Sequence, residues 1–232
     1  YASAGAAALG RTSKPTNELL TLADYRQRHA QYKSDPDAKT LHARLPMIAV
    51  WDDHEIANDA WKDGAENHDP ATEGSWVARR AAALQAYHEW MPIRTGADRS
   101  RIYRSFDFGS LVSLHMLDTR QLGRDLQVDQ LALGGLKGPE AQAAAYAEYT
   151  SPTRQMLGLE QLAWLQGRMA ASTASWQVLG QQVLMGRMEF PAAVLVALNP
   201  ADTSDEAQAA GQAAINAYLT AKATPPAQRT PE

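Results

Sequence analysis

Four carboxylates, one imidazole and one carboxamide fall within ten residues, Val50-Trp51-Asp52-Asp53-His54-Glu55-Ile56-Ala57-Asn58-Asp59. Asp and Asn oxygens suit hard or borderline cations, and an imidazole moves protons near neutral pH. The group directly follows the apolar run Leu45-Pro46-Met47-Ile48-Ala49-Val50. An apolar strand that breaks into Asp-Asp-His-Glu delivers polar side chains to the end of a sheet, where ligands bind in open α/β proteins. The chemistry expected is metal-dependent hydrolysis. A competing reading of the same residues makes Asp52 or Asp53 the N-cap of a short helix over 55–60, with His54 a packing residue.

The rest of the composition narrows the field. The chain has 232 residues, 45% of them hydrophobic, and a formal charge of -4, so a core is possible and no basic stripe invites nucleic acid. There is no cysteine, which removes disulfides, thiolate metal sites and cysteine nucleophiles. No apolar run approaches the roughly 20 residues that cross a bilayer. Neither a Gly-x-Ser-x-Gly elbow nor a Gly-rich phosphate loop ending in Lys-Ser/Thr occurs.

The elements that must position the acidic loop can be read from spacing. Leu19, Leu22, Tyr25, His29 and Tyr32 predict a helix over 16–33, started by Thr16 or Asn17 and stopped by Asp35-Pro36. A short helix is expected over 37–44, and a strand buried on both faces over 45–51. A long helix over 74–90 places Val77, Ala81, Leu84 and Tyr87 on one face. Ile102–Asp107 and Ser110–Leu117 read as a hairpin turning at Gly109. A helix over 160–171, a strand over 176–185 and an alanine-rich helix over 204–221 follow. Residues 121–157 read as a surface excursion, and 223–232 as a flexible tail. Strands interleaved with helices give an α/β class. His68 and Asp69 are assigned to a solvated loop, and Trp61, Trp76, Trp90, Trp164 and Trp176 to the core.

Taken together, the blocks resemble one family. Trp51-Asp52-Asp53-His54-Glu55 is similar to the motif of PhoD-type alkaline phosphatases within the calcineurin-like metallophosphoesterases. Tyr25 to Tyr32 with Asp35-Pro36, Arg79 to Tyr87 with Met91-Pro92-Ile93-Arg94, Leu117 to Gln121, and Met156 to Leu165 resemble that family's further blocks in order. The resemblance implies a metallophosphoesterase sandwich of mixed β-sheets flanked by helices. It also implies phosphate mono- or diester hydrolysis by a metal-bound hydroxide, with Ca²⁺ and Fe³⁺ or another transition metal, in the periplasm or outside the cell. It assigns Asp53 and Asn58 to metal, His54 and Glu55 to catalysis (Glu55 orienting the imidazole) and Arg120 to substrate phosphate. Asp118 and Arg120 read alternatively as a structural ion pair. The family's Gly-Asp-x-x-Tyr block would fall upstream of Tyr1, and its Gly-Asp-x-His block has no counterpart after Glu189. The chain therefore matches the central portion of such a domain, incomplete at both ends, and alone is expected to be inactive. A phospholipase-D-like or nuclease-type diesterase on the same scaffold, and a non-catalytic fragment, stay open beside it.

Overall fold

The computed structural model describes residue 6 and residues 8–128, 139–184 and 204–225. These fall into two units. One comprises Tyr1–Gln127 with Gln155–Val183, the other Val128–Arg154 with Leu184–Glu232.

In the first unit, helix α1 (Leu22–Lys33) starts at Thr21. The Thr21 side chain accepts from Asp24 N and the Asp24 carboxylate accepts from Thr21 N, a reciprocal cap that fixes the helix start. The predicted start at Thr16 or Asn17 is therefore early by about a turn, because those residues lack a partner acid three positions on. Asp35 caps α2 (Pro36–Arg44), whose first-turn proline has no N–H to leave unsatisfied. A short α3 (Pro70–Glu73) starts on Asp69, and α4 runs Trp76–Trp90. The buried face of α4 is Trp76, Arg79, Ala83, Leu84, Ala86 and Tyr87. Val77 is 74% exposed, because it sits one position off the stripe that meets α1. Ala81 is exposed as well. Helices α1 and α4 pack together, with Tyr25, Ala83, Leu84 and Tyr87 in the same core as Trp51 and Ile56.

The sheet has three described strands in the order β1-β2-β3: β1 (Arg104–Phe108), β2 (Val112–Met116) and β3 (Trp176–Gly180). The β1–β2 hairpin is antiparallel and turns through Gly109, as expected. β3 lies parallel to β2, and α6 (Leu159–Ala171) comes before it in the chain, the kind of crossover a parallel pair needs. Trp176, expected in the core, opens β3 and is 65% exposed.

The run over 45–51, expected as a strand, pairs with no strand among the described residues. Leu45, Met47 and Ile48 are each more than one-third exposed, so the two-faced burial inferred from continuous apolarity is absent. Side chains take the carbonyls a neighbouring strand would use: Arg104 Nη2 donates to Ala49 O at 2.7 Å, and Gln182 Nε2 to Trp51 O at 2.6 Å. Only at Trp51 does the segment become fully buried.

Within the predicted excursion 121–157, residues 129–138 lie outside the described part. Helix α5 (Pro139–Tyr149) belongs to the second unit, as does α7 (Asp205–Ala223), which Ser204 caps. Residues 226–232 of the expected tail also lie outside the described part. The excursion's two ends are joined. Asp125 N donates to Gln155 O at 3.0 Å, and Gln155 N to Asp125 Oδ2 at 2.7 Å. Nearby, Gly123 packs so closely that an added Cβ would lie 2.3 Å from Gly158 N. Gly123→Ala should therefore destabilise the first unit by about 1–3 kcal/mol, since the obstacle is backbone. Urea denaturation followed by tryptophan fluorescence measures this, and Gly96→Ala, which meets nothing within 4 Å, serves as control.

Candidate functional site

The acidic segment folds as a tight turn. Ile56 N and Ala57 N both donate to Asp53 O, at 2.8 and 2.9 Å, and Asp59 N donates to Asp53 Oδ2 at 2.7 Å. Asp59 adopts φ 47°, a left-handed conformation that Asp tolerates better than most residues. No helix forms over 55–60, so the capping alternative fails in that form, although Asp53 still collects N–H groups as a cap would.

Beneath the turn lies a buried carboxylate, Asp118, on the segment that leaves β2. Trp51 Nε1 donates to its Oδ2 at 2.9 Å, and Arg120 N and Gln121 N donate to its Oδ1 at 2.8 and 2.7 Å. Burial pushes the Asp118 carboxyl above its ordinary range, and these donors pull against that rise. Two glutamines extend the network. Gln161 accepts from Asp118 N and donates to Asp118 O. Gln182 accepts from Thr119 N and Thr119 Oγ1 while donating to Trp51 O and Leu117 O. A carboxamide accepts and donates at once, so each glutamine ties two segments without adding charge.

Arg120 does not pair with Asp118 through its guanidinium. It reaches over the turn instead: Nε to Asp52 Oδ1 at 2.8 Å, Nη1 to Asp59 Oδ1 at 3.4 Å, and Nη2 near Asp53 Oδ1 at 3.6 Å. Three carboxylates share one guanidinium whose side chain is 11% exposed. The fork expected to bind phosphate is held in this structure by the acids of the turn. Arg124, not singled out from the sequence, lies close by. Burial lowers its pKa first, the like charge of Arg120 lowers it further, and Asp59, Asp53 and Asp52 oppose the drop.

His54 projects from the turn with its side chain 53% exposed. Its Nε2 sits 2.8 Å from Asn58 Oδ1 and 3.5 Å from Asp53 Oδ2. Asn58 Nδ2 bonds to the Glu66 carboxylate, which leaves Oδ1 as the acceptor, so His54 Nε2 carries the hydrogen. Asn67 Oδ1 in turn accepts from Asn58 N, and Asn67 Nδ2 donates to Glu18. Glu55, expected to orient His54, instead accepts from Asp52 N at 2.6 Å and closes the turn. Its carboxyl is pushed above the ordinary range mainly by burial, and Asp52 and Asp53 add to the rise. His68 is not solvated. Its side chain is 2% exposed, with Nδ1 3.2 Å from both Arg79 Nη1 and Glu73 Oε2. Buried Arg79 also bonds Glu18 and the Tyr25 hydroxyl, which itself donates to Ile56 O. The turn is thus braced from the α1–α4 side as well as from β2.

The metal assignments can be tested on this geometry. Asp53 Oδ2 is held by Asp59 N, its Oδ1 faces Arg120, and Asn58 Oδ1 faces His54. Among the described residues no group of three or more acidic or histidine side chains is placed to hold a metal ion. The described residues do not fit a Ca²⁺ or Fe³⁺ site by themselves.

The chain matches the family described as PhoD-like phosphatase over residues 1–224. It is 42% identical over 178 residues to alkaline phosphatase D of Bacillus subtilis (strain 168), an overlap of 75% of this chain and 28% of that protein. A solved structure of PhoD superposes with a TM-score of 0.63 at 35% identity, covering 90% of this chain and 38% of that one. The chain therefore spans under a third of the curated relative's length.

Two substitutions test the electrostatics of the turn. Asp118→Asn sets an amide NH₂ against one of the N–H donors and should cost about 1–3 kcal/mol in urea denaturation. Glu55→Gln keeps an acceptor for Asp52 N and removes the charge. Because the folded Glu55 pKa is raised, its carboxyl costs nothing below the ordinary range, and stability is lost as pH rises through the folded value. The melting temperatures of wild type and Glu55→Gln should accordingly agree near pH 4, with the variant becoming the more stable toward pH 8.

Proposed function

The chain belongs to the PhoD-like phosphatases, and on that premise we propose that it serves the hydrolysis of phosphate mono- or diesters, with His54 as proton donor to the leaving alcohol. One observation carries the assignment. The solvent-exposed His54 imidazole has its Nε2 hydrogen held on a neutral amide oxygen at the mouth of a polar cleft. That cleft has a volume of about 260 Å³ and is lined by His54, Asn58, Asn67, Glu18 and Arg79.

An ester's departing oxygen takes up negative charge as the P–O bond breaks, and an N–H placed against it removes the need to release an alkoxide. Asn58 holds the hydrogen on Nε2 until a substrate oxygen replaces the amide as acceptor. Asp53 Oδ2 lies 3.5 Å from the same nitrogen. Arg120 and Glu55 act one step back: the first bridges Asp52, Asp53 and Asp59 and offsets part of their charge, and the second fixes Asp52 N, so the turn keeps one shape. Metal dependence, with the Ca²⁺ and Fe³⁺ that the resemblance implies, belongs to this proposal, but the described residues build no cage for these ions and no step is assigned to them. A periplasmic or extracellular location rests on the same membership. No helix among the described residues is long and apolar enough to cross a membrane.

The test is turnover of 4-nitrophenyl phosphate and bis(4-nitrophenyl) phosphate by the full-length protein and its His54→Ala variant. A general acid contributes about 100-fold or more, so kcat should fall by at least that factor on both esters while the melting temperature barely moves. An unchanged kcat removes His54 from the reaction.

A further inference from the structure

His54 borders two cavities, and the second differs in character from the polar cleft. It has a volume of about 470 Å³. Leu19, Tyr32, Val50 and Met91 give it an apolar wall, and His54 and Glu55 stand on its border. Arg28 and Lys33 supply cations from α1.

These cations have neutral partners. Arg28 donates to two backbone carbonyls, Lys14 O at 2.9 Å and Pro15 O at 3.1 Å. Lys33 Nζ donates to His42 Nε2 at 2.9 Å. Among the described residues neither is paired with a carboxylate. The one acid on the wall is Glu55, half-buried and bonded to backbone. The cavity thus carries uncompensated positive charge in a chain whose formal charge is -4. An apolar wall with unneutralised cations beside it complements an anion that has an apolar body.

We propose that this cavity receives the organic part of the phosphate ester, an apolar alcohol of about aryl size, with the phosphoryl group at His54. The proposal rests on the hydrolytic reading above and adds the class of leaving group. Placing the alcohol here sets its oxygen beside the His54 imidazole, while Arg28 and Lys33 offset the ester's charge from the α1 side. Small hydrophilic alcohols leave the wall formed by Tyr32, Val50 and Met91 uncovered and gain nothing from it.

Binding can be separated from turnover with phosphonates, whose P–C bond resists hydrolysis. Equilibrium titration of the full-length protein with 1-naphthylmethylphosphonate and with methylphosphonate gives the Kd ratio. The naphthyl compound should bind at least tenfold more tightly. Tyr32→Ala, at a residue that is 66% exposed and so safe for folding, should pull that ratio toward one, and Lys33→Gln should weaken the naphthyl compound severalfold. Equal affinities for the two phosphonates, or a ratio indifferent to Tyr32→Ala, overturn the proposal. Hydrolysis of 1-naphthyl phosphate is scored separately. Naphthyl preference without turnover sinks the hydrolytic reading and leaves the cavity's selectivity, whereas turnover without naphthyl preference does the reverse.

Discussion

The indole of Trp51 donating to the carboxylate of Asp118, both fully buried, is the joint on which the site depends. A carboxylate without water must be surrounded by donors or it is expelled from the fold. Here one donor comes from the segment that enters the acidic turn, and two are backbone N–H groups of the segment that leaves β2. The same indole meets Tyr87 and His88 of α4 edge-on, at 5.6 and 6.0 Å between ring centroids. Helix, sheet and turn are thereby referred to a single side chain. The direction in which His54 leaves the protein follows from that reference.

Above the joint the charge is partly offset locally. Three aspartates crowded in one turn would drive it open, and Arg120 prevents this by lying across all three. The resulting turn keeps an excess of negative charge, and the imidazole of His54 and the carboxylate of Asp59 are its most exposed groups, each side chain 53% exposed. The cations of α1, whose partners are neutral, lie on the other side of that ring. His54 therefore stands between an acidic turn bridged by Arg120 and a cavity whose two cations outnumber its one acid.

Much of this was legible in the sequence, and the failures share a cause. Asp35-Pro36 and Gly109 act through neighbours along the chain, and the end of the first helix, the short helix after it and the hairpin appear about where expected. The α/β class and the family resemblance hold for the same reason, since ordered blocks survive without knowledge of contacts. What could not be read was pairing at a distance. Arg120 finds Asp52 across 68 positions, and Gln182 finds Trp51 across 131. The apolar run at 45–51 misled because continuous hydrophobicity reports the wish for burial, whereas a strand also needs a hydrogen-bonding neighbour, and here Arg104 and Gln182 side chains stand in for one. Glu55 misled because adjacency to His54 suggested a partnership that the turn's own backbone took instead. The signal available for Gln161 and Gln182 was weak, a carboxamide beside otherwise apolar positions. Only the fold shows such a group reaching two distant stretches of chain at once.

The pairing of Asp125 with Gln155, reinforced by Lys62 Nζ on Asp125 Oδ1 at 2.7 Å, closes the doorway through which the chain departs the first unit and returns. With both jambs fixed, whatever passes between them costs the first unit little in chain entropy, because the ends are already together. By the same reasoning, lengthening or trimming the inserted stretch changes the closure cost only slowly.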